Sequence, residues 1–353
     1  MNRILWPIVF TGAVIAVVGG VFMLPWNRPA ESHANNDKFA DPNGKGGDKD
    51  QPKGEKFAED RKGEAVKNVV KGVEIDAKRA MGYLNDLCKI GPRISGTEGM
   101  KKQQELLEKH FDKLGGKITW QKFDGKQPSR REAVPMANMI ISWNPDAKRR
   151  VILCGHYDTR PIADQEVRRA DWTKPFISAN DGTSTVALLM ELAHHMKDLP
   201  RKVGVDFVIF DGEEFIHDSK LDSFFLGSNI FADVYKKDKQ REYKYIAAVL
   251  MDLFAGKNAT YGVEGYSRFG AGPLLKEIWD EAERQGVKSF VWEDAGSVQD
   301  DHLALLKVEI PAIDIIDFSY AHWHKLTDLP ENCSGEAMAN VAKVLTAWIQ
   351  GAK

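Results

Sequence analysis

The sequence predicts an α/β fold: one domain, a three-layer α/β/α sandwich around a mostly parallel mixed sheet, placed after an N-terminal membrane-spanning segment. Three observations carry this. Short apolar runs rich in β-branched and aromatic residues recur along the chain, as in VILCGH and VDFVIF, and read as buried strands. Segments with helical periodicity separate them. The first stretch of the chain is a long uncharged run.

The elements follow in order. Behind Arg3, residues 4–26 form an uncharged run of roughly 23 residues, long enough to cross a bilayer as a helix. The nearest small-x-small site, Ser32-His33-Ala34, lies well beyond its end. An uncleaved signal anchor over 1–26 is therefore expected, with a cleaved signal as the alternative. Arg3 on the cytoplasmic side would put the rest of the chain outside the cytoplasm, periplasmic or extracellular. Residues 27–63 are rich in Asn, Asp, Gly, Lys, Glu and Pro and read as a disordered polar tether, because they cannot bury enough surface to fold. The folded domain spans 64–353.

Within it, amphipathic helices are expected over 77–90 and 97–114, stopped by Gly91-Pro92 and Gly115-Gly116. Strands follow over 117–123, 137–143 and 151–156. The polar stretch 159–180 holds Arg160, Asp164, Arg168, Arg169, Trp172 and Phe176 with little period. A loop of that length is expected to cover a site. A helix over 184–199, a strand over 205–210, a helix over 225–235 and a strand over 246–251 come next. A helix over 273–285, a strand over 310–316 and a helix over 336–349 complete the chain.

The chain has 353 residues, 43% of them hydrophobic, enough for one large core. A net charge of -2 gives no reason to expect a polyanionic partner, so no nucleic acid is predicted. Three cysteines are too few for a disulfide scaffold and lack metal-finger spacing. Cys154 sits in an apolar strand, while Cys88 and Cys333 are a candidate pair in an oxidising compartment.

Polar groups cluster just after strands: His156 and Asp158, then Glu213 and Glu214, then Asp252. In open α/β sheets the ligand crevice lies at those strand ends. Adjacent glutamates in a turn point in different directions, so one can hold a metal while its neighbour serves as a base. With Asp181 and His324 they form a nitrogen and carboxylate set suited to zinc.

GHYDT, SANDG, FDGEE, MDLFAG, QDDH and WHKLTD, in this order, resemble the zinc-dependent M28 peptidase family, and within it the animal-type glutaminyl-peptide cyclotransferases and their bacterial relatives. The likeness covers about residues 77–350. It implies that Asp181, Glu214 and His324 bind one catalytic zinc and that Glu213 is the general acid/base. Asp252 and Asp300 would join it in a catalytic acidic network, Asp158 would support the site, and Trp323 and Asp314 would line the substrate pocket. The implied partners are peptide or protein N-termini as substrate, and the membrane through the N-terminal helix. The implied reaction turns an N-terminal glutamine into pyroglutamate and releases ammonia. The alternative is an M28 aminopeptidase with two zinc ions, the second on His156 and Asp252, and a non-catalytic binding ectodomain is a third reading. Bland readings compete at two positions: Trp323 also suits a packed core aromatic, and Asp300 a helix N-cap before Leu303. The animal enzymes carry a histidine at the position of Asp314 and a tryptophan soon after the Glu-Glu pair, where this chain has Phe215 to Ser219.

Overall fold

The structure, a computed structural model, describes residues 70–353. The expected anchor over 1–26 and tether over 27–63 lie outside the described residues. Among the described residues no helix is long and apolar enough to cross a membrane.

The chain runs α1 (Ala77–Cys88), α2 (Glu98–Lys113), β1 (Lys117–Gly125), β2 (Val134–Trp143), β3 (Arg149–His156), α3 (Thr183–Leu192), β4 (Gly204–Phe210), α4 (Leu226–Lys237), β5 (Lys244–Asp252), β6 (Tyr261–Val263), α5 (Gly265–Arg284), β7 (Phe290–Asp294), α6 (His302–Leu306), β8 (Ala312–Ile316) and α7 (Gly335–Gly351). Six strands form one sheet in the order β1-β2-β4-β3-β5-β8. Its β4-β3-β5-β8 part is parallel, and β1 and β2 make an antiparallel edge. The sheet is therefore mixed, as expected.

Apolar residues occupy both faces of the central strands. Val151 and Leu153 of β3 join one core with Phe207 and Ile209 of β4, under α1, α3, α5 and α7. Ile152 and Cys154 join the other with Val208 and Phe210, under α4 and α6. With a side-chain period of two and apolar cover on each face, such strands read as unbroken apolar runs. Helix α3 is buried along its whole length. Gly155 in β3 lets it sit close, since a Cβ there would lie 2.5 Å from Thr185 Cγ2.

The structure departs from the predicted elements in places. The helix expected over 184–199 stops at Leu192, where the N–H groups of His194 and His195 turn to carbonyls three residues back and tighten the chain into turns. The helix expected from residue 273 begins at Gly265, because a preceding turn, capped by the Glu264 carboxylate, runs on across a kink at Ala271. Pro273 gives a first-turn signal in the sequence and hides that earlier start. The strand expected over 310–316 starts at Ala312, after Pro311, which has no N–H for the ladder. The short β6, β7 and α6 were not predicted. Cys88 and Cys333 are separate buried thiols, so the candidate pair is not made. Cys333 Sγ faces the Leu329 carbonyl instead, and burial pushes the Cys88 thiol up to about 11.

Candidate active site

The parallel strands end on one side of the sheet, and the predicted polar residues meet there. His156 closes β3, Glu213 and Glu214 follow β4, and Asp252 closes β5. Asp158 fixes the glutamate pair: its two carboxylate oxygens accept the backbone N–H groups of Glu213 (3.0 Å) and Glu214 (3.1 Å). That leaves both glutamate side chains free of a local turn role.

Asp181 sits in the turn that starts α3. The Asp328 carboxylate accepts the N–H groups of Asn180 and Asp181, at 2.9 and 3.2 Å, and the Tyr320 hydroxyl donates to the same carboxylate. Asn180 ties this turn to the end of β5, donating to the Leu253 carbonyl and accepting from the Ala255 N–H. Gly182 has φ +71°, and a Cβ on it would lie 2.5 Å from the His156 ring. Only glycine suits both conditions.

Asp181, Glu214 and His324 are buried, and one donor atom from each lies within 4.8 Å of the others. His324 Nε2 is 2.5 Å from Glu214 Oε1 and 3.6 Å from Asp181 Oδ2. Among the described residues, Asp181 Oδ2 and Glu214 Oε2 have no hydrogen-bond partner. Buried, unpartnered carboxylate oxygens beside an imidazole nitrogen fit a zinc ion by number and by chemistry. A second group overlaps the first: His156 Nε2 is 3.1 Å from Asp181 Oδ1 and 3.5 Å from Asp252 Oδ1.

The electrostatics follow from burial and crowding. Burial opposes a charge on Glu214, but His324 and Arg160 outweigh it and hold the carboxyl at about 2. Burial likewise opposes a charge on His324, and Glu214 with Asp164 lifts its pKa to about 9. Glu213 is pushed well above the carboxylate range by burial, against the pull of His156 and with the push of Glu214, Asp300 and Asp301. Burial, then Asp252 and Asp301, raises Asp300 as well.

Asp300 does not cap α6; its carboxylate accepts the N–H of Asp301, and Asp301 stands at the cap position. Asp314 is fully buried in β8, with neither carboxylate oxygen hydrogen-bonded among the described residues, and burial followed by Asp300 raises its pKa. It belongs to the acidic cluster behind the crevice rather than to an exposed wall. Trp323 is only half-buried and is not a core aromatic: its ring lies 4.1 Å from that of His324 and 4.8 Å from that of the exposed Phe318.

Sequence reasoning assigned no role to Arg160, Asp164, Glu264 or Asp328. Asp164 Oδ1 is 3.0 Å from His324 Nδ1, and Arg160 holds the same carboxylate through Nε and Nη2. The sequence signals were the place of Arg160 and Asp164 in the long loop and of Asp328 at the end of WHKLTD.

The Peptidase family M28 profile matches residues 138–349. This chain belongs to peptidase family M28. As an M28 chain it is 25% identical over 250 residues to the glutaminyl-peptide cyclotransferase of Bos taurus, a match covering 60% of this chain and 65% of the bovine protein's own length. It is 53% identical to the crystal structure of Fimbriiglobus ruber glutaminyl cyclase, with a TM-score of 0.79, covering 80% of this chain and 97% of that one. A leucine aminopeptidase precursor from Bacteroides thetaiotaomicron VPI-5482 is also similar, at 27% identity and a TM-score of 0.75, covering 81% of this chain and all of that one (100%). M28 proteins named for two reactions thus share this fold, and the fold alone does not choose between them.

Proposed function

We propose that this chain is a zinc-dependent glutaminyl-peptide cyclotransferase, converting an N-terminal glutamine to pyroglutamate with release of ammonia. The observation that carries this reading is the acidic cluster beside the donor set: Glu213 and Asp300 are buried, and each is pushed well above the carboxylate range, with Asp252 adding to the push on Asp300. The similarity to the Fimbriiglobus ruber glutaminyl cyclase supports it.

Asp181, Glu214 and His324 would hold the zinc, whose chemistry when bound is Lewis-acid polarisation of the glutamine γ-carboxamide oxygen. Glu213 takes a proton from the substrate α-amino group as that nitrogen attacks the carbonyl carbon (Cδ) of the side-chain carboxamide. A C–N bond closes the lactam ring, the carboxamide C–N bond breaks, and Glu213 returns the proton to the departing ammonia. A carboxylate with a raised pKa suits both transfers, being basic enough to accept and acidic enough to give. Asp300 keeps its proton behind it, raised by burial and by the neighbouring Asp252 carboxylate. Trp323 walls the pocket beside His324 and helps to exclude water, which this reaction does not consume. Asp314 supports Asp300 from β8.

A second reading, a two-metal aminopeptidase, is favoured by one observation: His156, Asp181 and Asp252 form a further buried group of donors. In that case Glu213 would activate water against the first peptide bond. The domain would act on peptide or protein N-termini outside the cytoplasm, a placement supported by the uncharged run behind Arg3.

The test uses the full chain supplied with zinc, assayed for ammonia release from a Gln-initiated peptide and for hydrolysis of a leucine anilide, with metal content measured on the same sample. Ammonia release with about one zinc per chain and no anilide hydrolysis is expected. Anilide hydrolysis with a second bound metal would establish the peptidase instead. Silence in both assays would favour a binding ectodomain.

A further inference from the structure

We infer that the start of the long loop, Arg160 to Glu166, is a clamp that sets the orientation and tautomer of His324. The inference rests on the zinc-site reading above. Consecutive loop residues grip the His324 segment at separate points. The Asp164 carboxylate lies 3.0 Å from the ring at Nδ1. The Gln165 N–H donates to the His324 carbonyl at 3.3 Å. The Glu166 carboxylate accepts the Leu326 N–H at 2.9 Å. His324 itself has φ +52°, a left-handed conformation that a non-glycine residue keeps only when its surroundings fix it.

Arg160 completes the device. Its Nε and Nη2 bind both oxygens of Asp164, at 3.1 and 2.7 Å, and its Nη1 lies 3.7 Å from Glu214 Oε1. The guanidinium is 2% exposed and rests over the Phe224 ring. One buried cation therefore braces the carboxylate behind His324 and faces a second proposed ligand. His324 Nδ1 has no aligned hydrogen-bond partner among the described residues; the Asp164 carboxylate 3.0 Å away favours a proton at Nδ1 by its charge, which leaves the Nε2 lone pair for a metal. Arg160 and Asp164 act through His324 and Glu214, and are positioning residues.

The chemistry gives a test that an ordinary loop ion pair would fail. Asparagine at 164 has one acceptor oxygen, and Arg160, a donor only, claims it. The asparagine NH2 then faces Nδ1 and favours a lone pair there, which moves the proton to Nε2, where a metal must bind. Alanine imposes no tautomer. The full chain and its Asp164→Asn and Asp164→Ala variants are stripped and titrated with zinc against a chelating dye, and the metal-free melting temperature is measured for each. Asp164→Asn is expected to weaken zinc binding about 10- to 100-fold, and more than Asp164→Ala does, with a metal-free melting temperature close to the parent. Long-range imidazole nitrogen spectra of the metal-free chains, recorded at a pH where the His324 ring carries a single proton, should show that proton shifted toward Nε2 in Asp164→Asn relative to the parent, a readout that stands even if the alanine variant does not fold. Zinc affinity of Asp164→Asn within about twofold of the parent would overturn the clamp. So would alanine weakening zinc more than asparagine. A parent chain that takes up no zinc would overturn the metal reading itself, and the clamp with it.

Discussion

Gly182 and His156 share one space: the histidine ring lies where a side chain on residue 182 would have to go, 2.5 Å from the ring carbon. Gly182→Ala must therefore displace the ring and also strain a backbone at φ +71°. A loss of roughly 1–3 kcal/mol is expected from overpacking, read as a lower urea midpoint at unchanged slope. An unaltered midpoint would show that the turn can relax away from His156.

Asp158 orients the glutamate pair by accepting two backbone N–H groups. Asp158→Asn keeps one acceptor and turns an NH2 toward the other N–H. The cost is about 1–3 kcal/mol of stability for the donor left unsatisfied. Ammonia release should fall further than the melting temperature suggests, because Glu213 and Glu214 are re-aimed. Equal activity per folded molecule would remove Asp158 from the site.

Glu213→Gln separates chemistry from binding. The amide cannot move a proton, so turnover should drop about 10²- to 10⁴-fold. Zinc content should stay at the parental level, since Asp181, Glu214 and His324 are intact. Retained turnover would show that another group moves the proton.

Glu264 gives a pH test away from the donor set. Burial opposes its charge, but His302, Ser267 and backbone N–H groups hold its pKa down at about 2. A carboxylate with a depressed folded pKa adds stability that is present above its unfolded pKa, about 4.5, and is lost as pH falls toward 2. Glu264→Gln should cost roughly 2 kcal/mol at pH 7, less than the full shift because of solvent screening. The gap between variant and parent should close on acidification through that window. A gap that stays constant with pH would mean that packing, not charge, is lost.

Chelation provides the last test. Zinc that binds only the folded chain stabilises it by about 4 kcal/mol at a thousandfold excess over Kd. Stripping the metal should lower the melting temperature and stop ammonia release, and added zinc should restore both. A melting temperature indifferent to chelation would sink the proposed site.

The central strands could be read directly because each buries both faces, which leaves runs such as VDFVIF without polar interruption. Elements as short as β6 and α6 carry too few residues to show a period. Residues brought together at the strand ends were visible through their motifs and through their position after strands. Arg160 and Asp164 were not, because their meaning lies in a contact with His324 that no local pattern reports. Glu166 makes the point plainly: its partner Leu326 is 160 positions away. Asp314 was visible as a residue but not as a buried one, since its burial follows from the place of β8 beside β5 and from its contact with Ser267 of α5.

Glu214 and His324 stand 110 positions apart, and His324 follows β8, the last strand to join the sheet edge. As the chain leaves the ribosome, the donor set stays incomplete until nearly the whole domain has emerged. A zinc ion that needs all three proposed donors would therefore find its complete site only late in synthesis. The two cores do not depend on the donor set, and in a chain without metal the protons on His156 and His324 balance the clustered carboxylates.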